Sequence, residues 1–321
     1  MKRKSIAFPA CSVGVSLFLM TLLATGLVTP FAAPPGQKGV DAAVRSTPPV
    51  VTTDWLAQHQ NDAALVIVDI RSDKEFSAGH IPNAVHVPMP SWVVERDGLL
   101  LEVPEDGSLL QTLGSAGIGQ DSKVVVVNRA DHPYPLADTA RVADMLIYAG
   151  VANASVLSGG HDRWVREKRP LSDAPSRPKP VTYEAKTNKG MFVSKADVKA
   201  KMGKCRLVDA RTPDVYFGVM KEPFCARAGH IPGATCWPVP WMWTDEGEYK
   251  SSDDIRATAS GVMGDDLDKE IIVYCGVGGY AAAAWFVLHE VLGYQNVKIY
   301  DGSAQEWTAD PKAPVSQYVW E

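Results

Sequence analysis

The sequence predicts two tandem α/β domains, each a parallel β-sheet flanked by helices on both faces. Three observations lead there. A long motif string occurs twice at matching spacings, short β-branched runs alternate with helix-like stretches inside each copy, and 321 residues suffice for two domains of ordinary size. Composition fits a folded body: 46% of residues are apolar, 21% are charged and the formal net charge is -5. Basic residues form no run beyond the first four positions, so nucleic acid is not an expected partner.

The chain starts with Lys2, Arg3 and Lys4, followed by a mostly apolar run from Cys11 to Val28 and then Phe31-Ala32-Ala33. That is the order of a secretory signal peptide, assigned to residues 1–33. A run of ~18 apolar residues also reaches across a bilayer, and an uncleaved N-terminal membrane anchor is the alternative. The mature chain is then expected in the periplasm or secreted, with no membrane contact after cleavage. Cys11 leaves with the leader, and Cys205, Cys225, Cys236 and Cys275 remain, too few for a disulfide-built scaffold.

In the first copy, Val68-Asp69-Ile70-Arg71 is followed by Gly79-His80-Ile81-Pro82-Asn83-Ala84 and then Pro88 and Pro90. In the second, Val208-Asp209-Ala210-Arg211 is followed by Gly229-His230-Ile231-Pro232-Gly233-Ala234 and then Pro238 and Pro240. Arg71 to Gly79 is 8 positions and Arg211 to Gly229 is 18, so the second copy carries ten extra residues there. Further on, Val124 to Val127 parallels Ile271 to Tyr274, and Gly159-Gly160 with Trp164 parallels Asp301-Gly302 with Trp307. Strands are expected at Ala64 to Ile70 and Ser122 to Val127, and helices at Asp138 to Tyr148 and Ala281 to Leu292, with Gly150 and Gly293 ending the helices. Strands alternating with helices call for a parallel sheet. The proline-rich stretch from Arg169 to Pro180 reads as a surface linker. The assignment is an N-terminal domain at 48–170, a linker at 171–185 and a C-terminal domain at 186–315.

Features common to both copies are read as scaffold. Asp69 with Arg71, and Asp209 with Arg211, are expected ion pairs at strand ends. His80 and His230 are expected to help turn a helix end into a loop, and neither the histidines nor any other residues call for a metal or a cofactor. The copies part after the central strand, where the first continues Asn128-Arg129-Ala130 and the second Cys275-Gly276-Val277-Gly278-Gly279-Tyr280-Ala281. The carboxyl end of a parallel strand entering a helix is the usual ligand position. Three glycines there let the N–H groups of Gly276, Val277, Gly278, Gly279, Tyr280 and Ala281 form an anion-holding nest. Such a cradle is expected to hold Cys275 as a thiolate, with its pKa below the free value of ~8.5.

From Val50 to Trp307 the doubled Asp-x-Arg, Gly-His-Ile-Pro-x-Ala and Gly-to-Trp pattern resembles the tandem-domain rhodaneses, the thiosulfate and 3-mercaptopyruvate sulfurtransferases. The resemblance implies a catalytically silent N-terminal domain and a catalytic loop from Cys275 to Tyr280. It further implies that Cys275 takes a sulfur from thiosulfate or 3-mercaptopyruvate as a persulfide and passes it to a thiol, cyanide or a protein sulfur acceptor. Arg227 matches a position near substrate in that family and is a candidate donor-binding residue; a surface arginine is the alternative. Three departures stand out: Gly276 where thiosulfate-preferring members often have a basic residue, Tyr280 where mercaptopyruvate enzymes usually have a small hydroxyl residue, and Val215 at a family arginine position. A phosphatase or arsenate reductase on this scaffold needs an arginine at Ala281 and is set aside. A non-catalytic sulfur carrier or partner-binding role is the rival. Trp237 and Trp243, absent from the first copy, are candidates for the pocket wall or for packing. Cys225 and Cys236 flank the second Gly-His-Ile-Pro motif and are a candidate disulfide with Cys205 reduced, the alternative being small buried hydrophobes.

Overall fold

The computed structural model describes residues 45–320; the leader expected at 1–33 lies outside the described residues. The first half contributes β1 (Val50–Val51), β2 (Leu65–Asp69), β3 (Val85–His86), β4 (Val94–Arg96), β5 (Leu99–Glu102), β6 (Lys123–Val127) and β7 (Asn153–Leu157). The second half contributes β8 (Phe192–Val193), β9 (Arg206–Asp209), β10 (Ala234–Cys236), β11 (Ile271–Tyr274) and β12 (Val297–Tyr300). The two large sheets have the orders β1-β7-β6-β2-β3 and β8-β12-β11-β9-β10, parallel at every pairing. Read strand for strand, these are the same order, so the duplication seen in the motifs is a duplication of topology.

The central strands are apolar throughout because both faces are covered. Side chains alternate across a strand. Val125 and Val127 pack with Leu56, Phe76 and Trp164 on one face, while Val124 and Val126 pack with Leu109, Leu136 and Ala140 on the other. In the second sheet Ile272 and Tyr274 face Val198, Ala304 and Trp307, whereas Ile271 and Val273 face Ile255, Ala283 and Phe286. One core therefore serves both halves. It runs through the helices Pro133–Tyr148 and Gly279–Phe286, which touch along alanines at 137, 140, 281, 283 and 284.

Two helix boundaries differ from the sequence expectation. The first helix begins at Pro133 rather than Asp138, since the His132 ring accepts the N–H of Tyr134 and proline suits the first turn. The second begins at Gly279 and passes into a π-helical turn, Val287–Val291, instead of continuing regularly to Leu292. Gly150 (φ 99) and Gly293 (φ 84) follow them in the left-handed region. The strand-end pairs form as expected: Arg71 Nη2 lies 2.7 Å from Asp69 Oδ2, and Arg211 Nη2 lies 2.6 Å from Asp209 Oδ2. Each arginine also donates to the carbonyl of the glycine before the histidine, Gly79 or Gly229, which ties the motif loop to the strand. His80 and His230 bond the carbonyls of Phe76 and Tyr216 through Nδ1.

Each half reaches into the other. The hairpin of β4 and β5, turned by Asp97 (φ 54) and Gly98 (φ 79), docks on the end of β12. There Leu100 exchanges two 2.9 Å bonds with the Gln305 side chain, and Val103 N–H donates to Asp301. Reciprocally, Gly247 accepts the N–H of Gly159, and Tyr249 N–H donates to Ser158 at the end of β7. Behind the hairpin Arg141, fully buried, donates to Asp301 Oδ1 at 2.6 Å and to the Leu101 carbonyl at 2.5 Å. Removing one member of such a buried pair leaves the other charge uncompensated. Arg141→Ala is expected to lower unfolding free energy by about 3–5 kcal/mol in denaturant titration. The exposed Arg96→Ala, which loses a pair with Glu105 and a solvent-accessible bond to the Val103 carbonyl, should cost at most about 1 kcal/mol.

Candidate active site

Cys275 lies one residue past β11, and its register partner in the first sheet is Asn128, one residue past β6. The equivalence is exact in hydrogen bonding: His161 N–H donates to the Asn128 carbonyl, and Ala304 N–H donates to the Cys275 carbonyl. That bonding sets Gly160 (φ 54) opposite Ser303 (φ 49), so the glycine parallel read from sequence shifts by one residue. At Gly160 a Cβ would run into the Asn128 carbonyl, whereas Ser303 carries a side chain at the equivalent position and bonds locally through its hydroxyl. Ser303 Oγ accepts the Cys275 N–H at 3.2 Å and donates to the Tyr300 carbonyl at 2.9 Å. With Gln305 N–H on the Gly276 carbonyl, the β12 turn holds the base of the loop.

The loop curls round the sulfur. Gly278 N–H points at Cys275 Sγ from 3.1 Å, and the N–H groups of Val277 and Ala281 join it. Gly278 (φ 95) stands just before the helix Gly279–Phe286, so its left-handed backbone aims these donors inward. The expected nest is therefore present. The expected low thiol pKa is not: burial of Cys275 pushes its pKa up, Glu222 adds to the rise, and the loop N–H groups oppose it incompletely. Residue 275 is only 3% exposed, and desolvation of a thiolate outweighs the loop dipoles.

The ten-residue insertion roofs the loop. A Cβ on Gly276 would stand 2.5 Å from Glu222 Oε2 and closer still to the Phe224 ring. Glycine after the cysteine is thus a demand of the roof. From the first half, Tyr134 stacks on Tyr280 with centroids 5.3 Å apart, and Leu101 lies 3.9 Å from where a Gly279 Cβ would be. Tyr280 is 9% exposed and Tyr134 57%. Glu222, Phe224, Tyr134 and Ser303 escaped the sequence reading. The first two lie in an unmatched insertion, Tyr134 lies in the half without a cysteine, and Ser303 looks like an ordinary turn residue.

The other candidates are placed as follows, Arg227 against its donor-binding reading and the cysteines and tryptophans on their packing alternatives. Arg227 commits Nε to the Thr308 carbonyl and Nη2 to those of Asp310 and Ala313, at 3.0, 2.8 and 2.9 Å, closing the last helix instead of facing the loop. Cys225 and Cys236 are separate free thiols, as is Cys205. Cys225 donates to Glu222 Oε2 at 3.8 Å, and Cys236 to the Arg211 carbonyl at 3.5 Å. Burial pushes their pKa values to about 11 and about 12. Trp237 and Trp243 are interior packing: both are buried, Trp237 Nε1 donates to Thr258, and Trp243 meets Tyr249 edge-on.

Two outcomes follow from this geometry. Gly276→Ala should displace the roof and lower turnover by at least about tenfold, the scale of a small misplacement at a reacting centre, with little change in melting temperature. A raised pKa means that thiolate forms only as pH climbs past the usual thiol value. The iodoacetamide reaction at Cys275, followed by peptide mass, should therefore still be accelerating where a free thiol has levelled off.

Comparison with known proteins places this geometry in a family. The rhodanese-like domain matches residues 52–167 and again 194–310. Curated relatives include the sulfur carrier protein TtuD of Thermus thermophilus, 33% identical over 80% of this chain and 93% of its own length. A putative thiosulfate sulfurtransferase of Haloferax volcanii is 34% identical over 84% of this chain and 96% of its own. The 3-mercaptopyruvate sulfurtransferase of Escherichia coli is 31% identical over 84% and 98%. Among solved structures, the anaerobic ergothioneine biosynthesis enzyme of Chlorobium limicola superposes with a TM-score of 0.75 at 21% identity, covering 84% of this chain and 70% of that one, a likeness of fold. With two matched domains in the order that its repeated sheets display, the chain belongs to the rhodanese family, in its tandem-domain form.

Proposed function

We propose that this protein is a sulfurtransferase in which Cys275 carries the transferred sulfur as a persulfide. The observation that carries this reading is the ring of loop N–H groups around Cys275 Sγ, set against the closed loop at Asn128. A persulfide extends the sulfur into the space those donors face, where they stabilise its negative charge as an oxyanion hole does an oxygen. Sulfur moves between sulfurs by attack of a thiolate on the outer atom, which needs no metal and little proton movement.

The first half performs no transfer in this reading. Asn128 Nδ2 donates to the Pro135 carbonyl at 3.0 Å and Oδ1 accepts the Arg129 N–H at 2.9 Å, so the side chain staples its own loop. The donor is thiosulfate or 3-mercaptopyruvate, and the acceptor is a thiol or cyanide. With Arg227 engaged elsewhere, the charged part of the donor falls to the loop N–H groups of Gly276, Val277, Gly278, Gly279, Tyr280 and Ala281. The basic start and apolar run at 1–33 support a reaction outside the cytoplasm in this reading. N-terminal sequencing of exported protein tests that placement: an intact Met1 would point to the anchor. A carrier role is the second reading, supported by the nearly closed site at Cys275 and by the carrier named among the relatives.

Incubation with thiosulfate and, separately, with 3-mercaptopyruvate should add one sulfur to the intact mass in at least one case. Cys275→Ser should abolish the gain, whereas Asn128→Ala should keep it and cost only about 1 kcal/mol of stability. Full loading of Cys275→Ser sinks the assignment. Loading without turnover by small thiols or cyanide favours the carrier.

A further inference from the structure

Glu102, the last residue of β5, lines the cleft where the hairpin of the first half meets the second. That cleft, about 280 Å³, is walled by Arg96, Asp97 and Glu102 from the hairpin and by Lys195, Asp301 and Glu306 from the other side. The three cations around it each have a carboxylate already. Arg141 Nη2 holds Asp301 at 2.6 Å, Lys195 lies 3.4 Å from Glu306, and Arg96 lies 3.1 Å from Glu105. Asp301 also receives the Val103 N–H, and Glu306 also receives the Tyr300 hydroxyl. Asp97, exposed at the hairpin tip, adds one more carboxylate. Glu102 is the carboxyl left over: its Oε1 is buried and has no hydrogen-bond partner among the described residues.

An ionised Glu102 stands beside Asp301 and Glu306 with no cation of its own. Burial, then the Asp301 charge, pushes its pKa up to about 7; Glu306 adds to the rise, and Arg141 and Arg96 oppose it. Arg141 keeps Nε and Nη1 unbonded, but Asp138 and Asp144 of its own helix draw on its charge as well. The docked hairpin therefore favours Glu102 with its proton, whereas a hairpin lifted into water returns the group to its usual 4.5.

We propose that Glu102 is a proton-operated latch: protonated, it lets the β4–β5 hairpin seat on the Asp301 turn, and ionised, it favours lifting of the hairpin and access to Cys275. Its chain neighbours carry the link. Leu101 and Val103 bond Arg141 and Asp301, and Leu100 bonds Gln305. Leu101 also lies 3.9 Å from the Cβ position of Gly279 in the Cys275 loop, and Ser303 ties that loop to the same turn. Between pH 4.5 and 7 the docked hairpin keeps a proton that the lifted hairpin gives up. Each unit rise in pH there favours lifting by at most about tenfold, and the effect levels off above the docked value. Acid closes the joint and neutral pH loosens it. The latch acts on access to Cys275 whatever chemistry the sulfur performs.

The test compares the full-length parent with Glu102→Gln, which keeps the shape and cannot ionise. Amide exchange at Leu100 and Val103, corrected for intrinsic rates, reads the hairpin. The parent-to-variant ratio of protection should be near one at the lower pKa, fall to about one-tenth at the upper, and stay there. Asp138, pushed up to about 6 by burial, is common to both proteins and cancels in the ratio. Access to Cys275 is read with 4,4′-dithiodipyridine, a disulfide that reacts at acidic pH. Parent-to-variant labelling should rise over the same range from near one to about fivefold. A ratio that stays constant with pH in either measurement overturns the proposal. In the parent alone, the Glu102 carboxyl 13C resonance should titrate at about 7, and a midpoint at the usual 4.5 overturns the latch even where the variant folds poorly.

Discussion

The Asp301 carboxylate is the joint on which the site depends. It lies in the turn after β12 and receives Arg141 on one oxygen and the Val103 N–H on the other. Two residues on, Ser303 holds the amide of Cys275. Gly278, whose N–H faces the sulfur, has its Cβ position 3.3 Å from the same carboxylate. A charge pair whose arginine is fully buried has little tolerance for displacement, since separating it leaves that cation in a poor solvent. The N-terminal half therefore buttresses the Cys275 loop of the other half. Its buried arginine and its hairpin fix the turn from which the loop hangs.

The exchange of arms between halves follows from the duplication. Each domain ends its central strands at a turn whose amides and carbonyls need partners, and a duplicated neighbour supplies complementary segments to both. The segment around Gly247 covers the turn at Ser158 and Gly159, and the β4–β5 hairpin covers the turn at Asp301 to Gln305. Only one of the two junctions borders a nucleophile. At the other, Asn128 closes the loop on itself, and Gly160 lets the chain pass where Ser303 instead supplies a hydroxyl.

Burial of the sulfur sets up a second opposition. A sheltered thiol is slow to ionise, yet a sheltered persulfide is protected from water and from stray nucleophiles. In the proposed persulfide, a stronger acid than a thiol, the outer sulfur would keep negative charge next to the loop N–H groups where the buried thiol resists ionising. The roof formed by Glu222 and Phe224 then restricts what reaches that sulfur, and it leaves room after the cysteine for glycine alone.

Sequence by itself determined the duplication, the parallel α/β class, and the place of Cys275 and its glycine loop at the end of a central strand. Each of these is written in local terms: motif order, β-branched runs covered on both faces, glycines before a helix, and cysteine against asparagine at one position. The strand-end pairs of Asp69 with Arg71 and Asp209 with Arg211 were legible for the same reason, being two residues apart. Tertiary structure alone decided what surrounds the sulfur. Tyr134 and Tyr280 are 146 positions apart, 280 less 134, and Arg141 and Asp301 are 160 apart, so no periodicity or spacing links them. Arg227 looked available because sequence carries no record of the carbonyls of Thr308, Asp310 and Ala313 that it meets across the fold. The cysteine's acidity went the same way: loop dipoles are a local property and argued for a thiolate, but the depth of burial that outweighs them belongs to the whole packed molecule.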